Sequence, residues 1–467
     1  MRNAGFFCFC PCECALRLSR RQKSFRGNEA PVRTIPFGLA RSGAFVFQGR
    51  QRVNKSRRTF LKLGAAAGAF TVTGFPHIWS KNSSFAYAQG GEIKVGVLFS
   101  LTGTTAIIEE SLNKATIMAI EEINAAGGIN GMKIVPVIED PASDPATFAE
   151  KARKLVMSDK CVSVFGSYTS ASRKAVLPVF EKQENLFWYP TLYEGRECSK
   201  NVIYTGAVPN QQQDDFVPWL VEKFGKRWYL IGSNYIYPKE ENNYCKKLLE
   251  GLGAEVIAEE YVPLGHSEFS SVINKFRSEK PNVIFSTVVG DSVVALHRQY
   301  RAAGLDPATM PMASLTTSEN EVAAMGGDAA AGHFTSAPYF MVFDSPENKK
   351  FVEAYKARWG GDKVTHFVSE SSYFQIHLFA QAVAKLAPSD IGPLGIRDAV
   401  KGEEYKAPQG LVKVEPDNLH CWLRPKIGQC KADGQFEILQ QSADWLEPNP
   451  YSAYPDQKCT SEGLKQI

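Results

Sequence analysis

The chain has only seven histidines in 467 residues, and no two of them stand at the His-x-x-x-His spacing that puts two metal ligands on one helix face. Six of them, His266, His297, His333, His366, His377 and His420, are scattered through the chain, and no metal centre is expected. Nucleophile motifs are missing as well. Gly166-Ser167-Tyr168-Thr169-Ser170 is not a Gly-x-Ser-x-Gly elbow, and Cys161 precedes an apolar strand, where a small buried hydrophobe is expected rather than a reactive thiol. Glu109 and Glu110 fall near a helix N-terminus and read as partners of its dipole, not as an acid–base pair. No catalytic residue, no cofactor and no enzymatic activity are assigned. Basic clusters with interleaved aromatics are also lacking, so no nucleic acid is expected as a partner. The apolar stretch from Leu63 to Phe75 is about a dozen residues, short of the ~20 that span a bilayer.

That stretch is preceded by Ser56-Arg57-Arg58-Thr59-Phe60-Leu61-Lys62 and followed by Ala86-Tyr87-Ala88. Paired arginines, a short apolar run and Ala-x-Ala together read as a twin-arginine export signal with its cleavage site. Residues 1–88 are therefore expected to be a leader. The protein beyond it is expected in the periplasm, without insertion in the membrane once cleaved. The leader carries 15 of the 53 Lys and Arg residues but only two acidic ones, Glu13 and Glu29. The remainder has 38 basic and 47 acidic residues, a charge of about −9, so the whole-chain value of +4 belongs to the leader. Cys8, Cys10, Cys12 and Cys14 lie in the leader too, and six cysteines follow from Cys161 to Cys459. Cys421 and Cys430 flank Trp422 to Gln429, a spacing that a β-hairpin closes with a disulfide in an oxidising compartment.

About 379 residues remain after residue 88, enough for two domains. They alternate strand and helix. Strands are expected at 92–99, 133–138, 162–166 and 186–189, with helices at 115–125, 145–158 and 172–181 between them. A second series runs through helix 213–224, strand 227–232, helix 239–252, strand 255–261, helix 269–279, strand 282–287 and helix 291–303. Such βαβ series build parallel sheets covered by helices. Two of them in tandem predict two doubly wound α/β lobes facing each other across a cleft.

Ligands of open parallel sheets bind beyond the carboxyl ends of the strands. Those ends read Ser100-Leu101-Thr102-Gly103, Gly166-Ser167-Tyr168-Thr169-Ser170, Tyr189-Pro190-Thr191, Gly232-Ser233-Asn234-Tyr235-Ile236-Tyr237-Pro238, Val288-Val289-Gly290 and Leu315-Thr316-Thr317. Hydroxyls and rings dominate and charges are few. A hydroxyl can donate or accept, so it can meet either end of an amide. A desolvated carboxylate or ammonium would call for a countercharge that these segments do not offer.

Four segments, Ser170-Ala171-Ser172-Arg173-Lys174-Ala175-Val176-Leu177-Pro178-Val179, Tyr189-Pro190-Thr191-Leu192-Tyr193-Glu194-Gly195, Pro209-Asn210-Gln211 and Ser233-Asn234-Tyr235-Ile236-Tyr237-Pro238, resemble the urea and short-chain amide receptors of ABC transporters. They are also similar to the amide-binding negative regulator of the aliphatic amidase operon. The resemblance continues through Phe285 to Gly290, Ala313 to Glu319 and Ala407 to Gly410, covering nearly all of residues 92–450. It implies a type I periplasmic binding protein fold, with residues 92–208 plus 338–408 as one lobe, 209–337 plus 409–450 as the other, and 451–467 as a tail. It further implies that Ser170, Tyr189, Thr191 and Tyr235 contact the ligand, with Tyr168, Val289 and Thr316 completing the pocket. Urea receptors commonly read Tyr-Pro-Val-Gln-Tyr-Glu-Gly where this chain has Tyr-Pro-Thr-Leu-Tyr-Glu-Gly. That departure favours acetamide or formamide over urea. The implied partner is an ABC permease. Because the amide regulator acts in the cytoplasm and this chain carries an export signal, transport leads over a role in ligand sensing, either in regulating amide metabolism or as input to a membrane sensor.

Overall fold

The computed structural model describes residues 88–89 and 91–467. Arg57 and Arg58 of the expected export signal lie outside these residues. The first sheet contains β1 (Ala88–Gln89), β2 (Glu92–Leu98), β3 (Lys133–Glu139), β4 (Ser163–Gly166), β5 (Leu186–Tyr189) and β6 (Val202–Tyr204). Its parallel strands run in the order β3-β2-β4-β5-β6, and the two-residue β1 pairs antiparallel with the start of β2. The second sheet starts with β7 (Arg227–Ser233), β8 (Glu255–Val262), β9 (Val283–Thr287), β10 (Met312–Ser314) and β11 (Phe334–Ala337). These five are parallel in the order β8-β7-β9-β10-β11. The two orders are the same doubly wound pattern, in which the chain starts inside the sheet and winds outward both ways.

Central strands of such sheets are covered on both faces and so read as apolar runs. Every residue of β4, β5 and β9 is buried. The helix Ala106–Ala125 packs against Phe367–Ala384. The latter brings Phe379 against Phe165 and Trp188, with ring centroids 5.3 Å and 6.1 Å away. A stretch that follows the five parallel strands of the second sheet in sequence thus covers the first. Local caps fix the helix starts: the Asp144 carboxylate accepts from Thr147 N at 2.7 Å and the Thr169 hydroxyl from Ser172 N at 3.1 Å.

A small antiparallel sheet follows, made of β12 (Glu404–Ala407), β13 (Gly410–Val414) and β14 (Cys421–Trp422). The chain then adds β15 (Lys426–Cys430) and β16 (Phe436–Gln441) antiparallel to the β11 edge of the second sheet, and ends in the hairpin β17 (Gln457–Thr460) and β18 (Gly463–Gln466). This arrangement corrects the expected Cys421–Cys430 bridge. Cys421 belongs to the small sheet and Cys430 to the far end of β15, whose partners are β11 and β16, so no hairpin brings the two together. Both are buried free thiols, and burial pushes Cys430 up to about 12. The bridge instead joins Cys198 to Cys459, 261 residues apart, with Cα atoms 5.4 Å from each other. Among the described residues, no helix is long and apolar enough to cross a membrane.

Candidate functional site

Beyond the carboxyl ends of both sheets, Tyr168, Ser170, Thr191, Leu192, Tyr235, Tyr237, Val289 and Thr316 enclose one cavity. Six of the seven residues singled out from the sequence line it. The exception is Tyr189, whose side chain stands one layer behind: its hydroxyl donates to the Tyr168 carbonyl at 2.7 Å, holding that wall in place. The space between these side chains that admits the centre of a water is about 10 Å³. That is close to the least space that holds a single water.

Backbone fit sets the wall positions. A Cβ on Gly206 would lie 2.1 Å from the Thr191 carbonyl carbon, so only glycine lets the chain leaving β6 pass against the Thr191 backbone. On the facing half, Tyr235 is extended (φ −151°, ψ −173°) just before the helix Ile236–Gly251. Ile236, the first residue of that helix, turns to solvent, while Tyr235 before it and Tyr237 after it line the cavity.

The polar groups divide into two sets. The hydroxyls of Ser170, Thr191 and Thr316 already donate to protein acceptors: Ser170 to Glu194, Thr191 to Ser167 O at 3.2 Å, and Thr316 to Val288 O at 2.6 Å. Each keeps acceptor capacity, since a hydroxyl oxygen has two lone pairs. Among the described residues no partner takes the phenols of Tyr168, Tyr235 or Tyr237, and that of Tyr237 is fully enclosed. Burial pushes all three well above the usual tyrosine range, so they remain neutral donors. Ser170 also opens the helix Ser170–Gln183. Among the described residues no acceptor takes its N–H, which leaves a backbone donor at the positive end of a helix dipole.

Charges stand behind this wall, each with its own partners. The buried Arg173 donates from Nε to Glu197 at 3.0 Å, from Nη2 to Glu194 at 2.9 Å and from Nη1 to Ser170 Oγ at 2.9 Å. Burial opposes its charge, but Glu197 and Glu194 outweigh that and raise Arg173 well above its ordinary value. Glu109, expected only to complement a helix dipole, instead accepts from Ser100 N at 2.8 Å and the Thr105 hydroxyl at 2.6 Å. Burial pushes it up to about 7 despite those bonds. The carboxyls are thus engaged in fixing loops and do not face the cavity.

The two halves also touch away from the cavity, where Asn320 Nδ2 donates to Ile107 O at 3.2 Å. Its neighbour Glu319 accepts from Met341 N at 2.7 Å through one oxygen, while the other oxygen is buried without a donor. Burial raises this carboxyl to about 8. The folded protein therefore keeps a proton that the unfolded chain releases near pH 4.3. The associated stability is complete below that pH and is lost as pH rises towards 8. Thermal unfolding followed from pH 5 to 8 should show a decline shallower by about 1–2 kcal/mol in Glu319→Gln than in the unaltered protein.

Sequence reasoning did not assign Tyr237 and Leu192 to the pocket. For Tyr237 the available signal was the Tyr-x-Tyr pattern at a strand-to-helix junction. Leu192, next to Thr191, carried none.

The sequence matches the family described as periplasmic binding protein domain over residues 93–457. A leucine-, isoleucine-, valine-, threonine- and alanine-binding protein of Pseudomonas aeruginosa is 26% identical over 353 residues, which is 75% of this chain and 90% of that protein. Among solved structures, an ABC transporter solute-binding protein from R. palustris in complex with benzoate has a TM-score of 0.68 at 19% identity, covering 76% of this chain and 98% of the other. A branched-chain amino acid transporter substrate-binding protein from Streptococcus pneumoniae in complex with isoleucine has a TM-score of 0.66 at 21% identity, covering 76% and 100%. At these identities the structural likeness concerns the fold.

Proposed function

The chain belongs to the periplasmic binding protein family, the extracytoplasmic solute receptors of ABC transporters, and we propose that the solute on which its two lobes close is a small neutral amide such as acetamide, formamide or urea. The observation that carries this reading is a cavity lined from both halves without one ionised side chain. An amide NH₂ group offers donors to the oxygens of Ser170, Thr191 and Thr316. Its carbonyl accepts from the Ser170 N–H or from a tyrosine hydroxyl. A ligand bridging both halves contacts all of them only in the shut state, so it shifts the population towards closure. The closed form then docks on the permease.

The relative from Pseudomonas aeruginosa is named for amino acids, and the R. palustris structure holds benzoate. Both ligand types carry a carboxylate, and a buried carboxylate without a cation or several donors is costly. Here three phenols and the Ser170 N–H remain as donors, but no cation lines the cavity, Arg173 lying behind Ser170, and only about 10 Å³ of it admits the centre of a water, a space that disfavours leucine and benzoate by size.

Calorimetric titration with acetamide, formamide, urea, leucine and benzoate discriminates these ligands. Saturable binding of at least one amide and none of leucine or benzoate is the expected result. Tight binding of leucine or benzoate with no heat from any amide would overturn the assignment.

A further inference from the structure

The geometry points to a clasp: the C-terminal segment around Tyr454 is tethered to the first lobe and holds the second lobe's helix Ile236–Gly251, biasing the receptor towards its closed form. The tether has two parts. Cys459 is bonded to Cys198, which lies in the loop between β5 and β6 of the first sheet. Nearby in that loop, Arg196 N donates to Pro450 O at 2.7 Å. Gly195 has φ +71°, and a Cβ there would lie 2.1 Å from the same oxygen, so this contact leaves no room for a side chain.

The clasp itself is a cluster of charges around one ring. Arg196 sits 4.5 Å from the centre of the Tyr454 ring and pairs with Glu240 of the second lobe. The Tyr454 hydroxyl donates to the other Glu240 oxygen at 2.8 Å, and Asn243 Nδ2 donates to that hydroxyl at 3.4 Å. One turn further on, Lys247 lies 4.9 Å from the ring centre and donates to the Ala453 carbonyl. Glu240, Asn243 and Lys247 recur at three- and four-residue intervals and so share one face of the helix. Tyr237, near the start of that same helix, lines the cavity. A rigid element therefore has one end in the ligand wall and a neighbouring face in the clasp.

Opening the cleft separates Glu240, Asn243 and Lys247 from Arg196 and the tethered segment. Every contact of the cluster that crosses between the lobes thus exists only when the lobes are shut. A device that raises the closed fraction before ligand arrives raises apparent affinity by the same factor. This argument rests on the receptor reading but not on which solute is bound.

The test compares the unaltered protein, oxidised and reduced, with Tyr454→Ala, Glu240→Gln and Cys459→Ser. Small-angle X-ray scattering of each without ligand reports openness, and titration with acetamide reports affinity. The three variants and the reduced protein are expected to show a larger radius of gyration than the oxidised protein. Acetamide is expected to bind three- to tenfold more weakly to Tyr454→Ala, a range of about 0.7–1.4 kcal/mol. Glu240→Gln keeps the side chain's shape, so it still reports if Tyr454→Ala fails to fold. Scattering and affinity unchanged in both variants would overturn the clasp and leave it a mere surface attachment. Should acetamide fail to bind even the unaltered protein, the amide reading falls, while the scattering comparison still decides the clasp.

Discussion

Replacing Arg173 by methionine lowers the stability of the folded protein by about 3–5 kcal/mol, the cost of leaving buried charges without their partner. The guanidinium is fully buried and makes hydrogen bonds to Glu194, Glu197 and Ser170. It also faces the Tyr193 and Tyr189 rings at 4.2 Å and 5.0 Å. Methionine restores part of the volume and none of the charge. Lys174, 3.5 Å from Glu197 and 4.0 Å from Glu194, is the only other cation paired with them among the described residues, and it is partly exposed. At about 2.1 cal/mol/K of unfolding entropy per residue, the loss over roughly 380 residues amounts to a drop in Tm of about 4–6 °C. A triple variant, Arg173→Met with Glu194→Gln and Glu197→Gln, should recover part of that drop, because the penalty comes from unpaired charge rather than from lost packing. Calorimetric melts of the single and triple variants check this; equal midpoints for Arg173→Met and the unaltered protein would refute it.

The second large effect is on affinity. Tyr235→Ala should weaken amide binding tenfold or more, since it removes a cavity wall and a hydroxyl together, about 1.5–3 kcal/mol. Tyr237→Phe isolates the hydroxyl. That hydroxyl is enclosed without a protein partner, so removing it costs the ligand-free fold nothing in hydrogen bonding. A ligand that bonds to it should still lose about 0.5–1.5 kcal/mol. The expected signature is an unchanged melting temperature with a several-fold weaker titration. A Tyr237→Phe protein that binds acetamide as tightly as before would remove this residue from the recognition set.

The strand–helix alternation was legible because strands buried on both faces must be apolar throughout, as Leu186-Phe187-Trp188-Tyr189 is. The helix expected over 115–125 begins already at Ala106. Its first turns hold the adjacent Ile107 and Ile108 beside a threonine-rich loop, which blurs the helical period. Strand-end positions gave most of the cavity, since sheet topology alone says where a ligand sits. Tyr189 and Tyr237 show the limit of that rule. Both are tyrosines at element ends, but the Tyr189 hydroxyl is taken up by the Tyr168 carbonyl behind the wall, whereas Tyr237 lines the cavity. Local spacing also misled on the cysteines. Cys421 and Cys430 look like two ends of a hairpin, but the chain between them passes from one sheet to another. The partners that do meet are brought together by tertiary assembly, which no short motif encodes.

The bond between Cys198 and Cys459 makes a covalent ring of most of the folded body. Its sulfurs meet where the β5–β6 loop and the final hairpin lie together. Once made, a ring spanning 261 residues restricts the denatured chain by about 5–6 kcal/mol in the chain-entropy picture. A molecule that melts with the ring intact keeps residues 198–459 as a closed loop, while the strands and helices before Cys198 form a free arm.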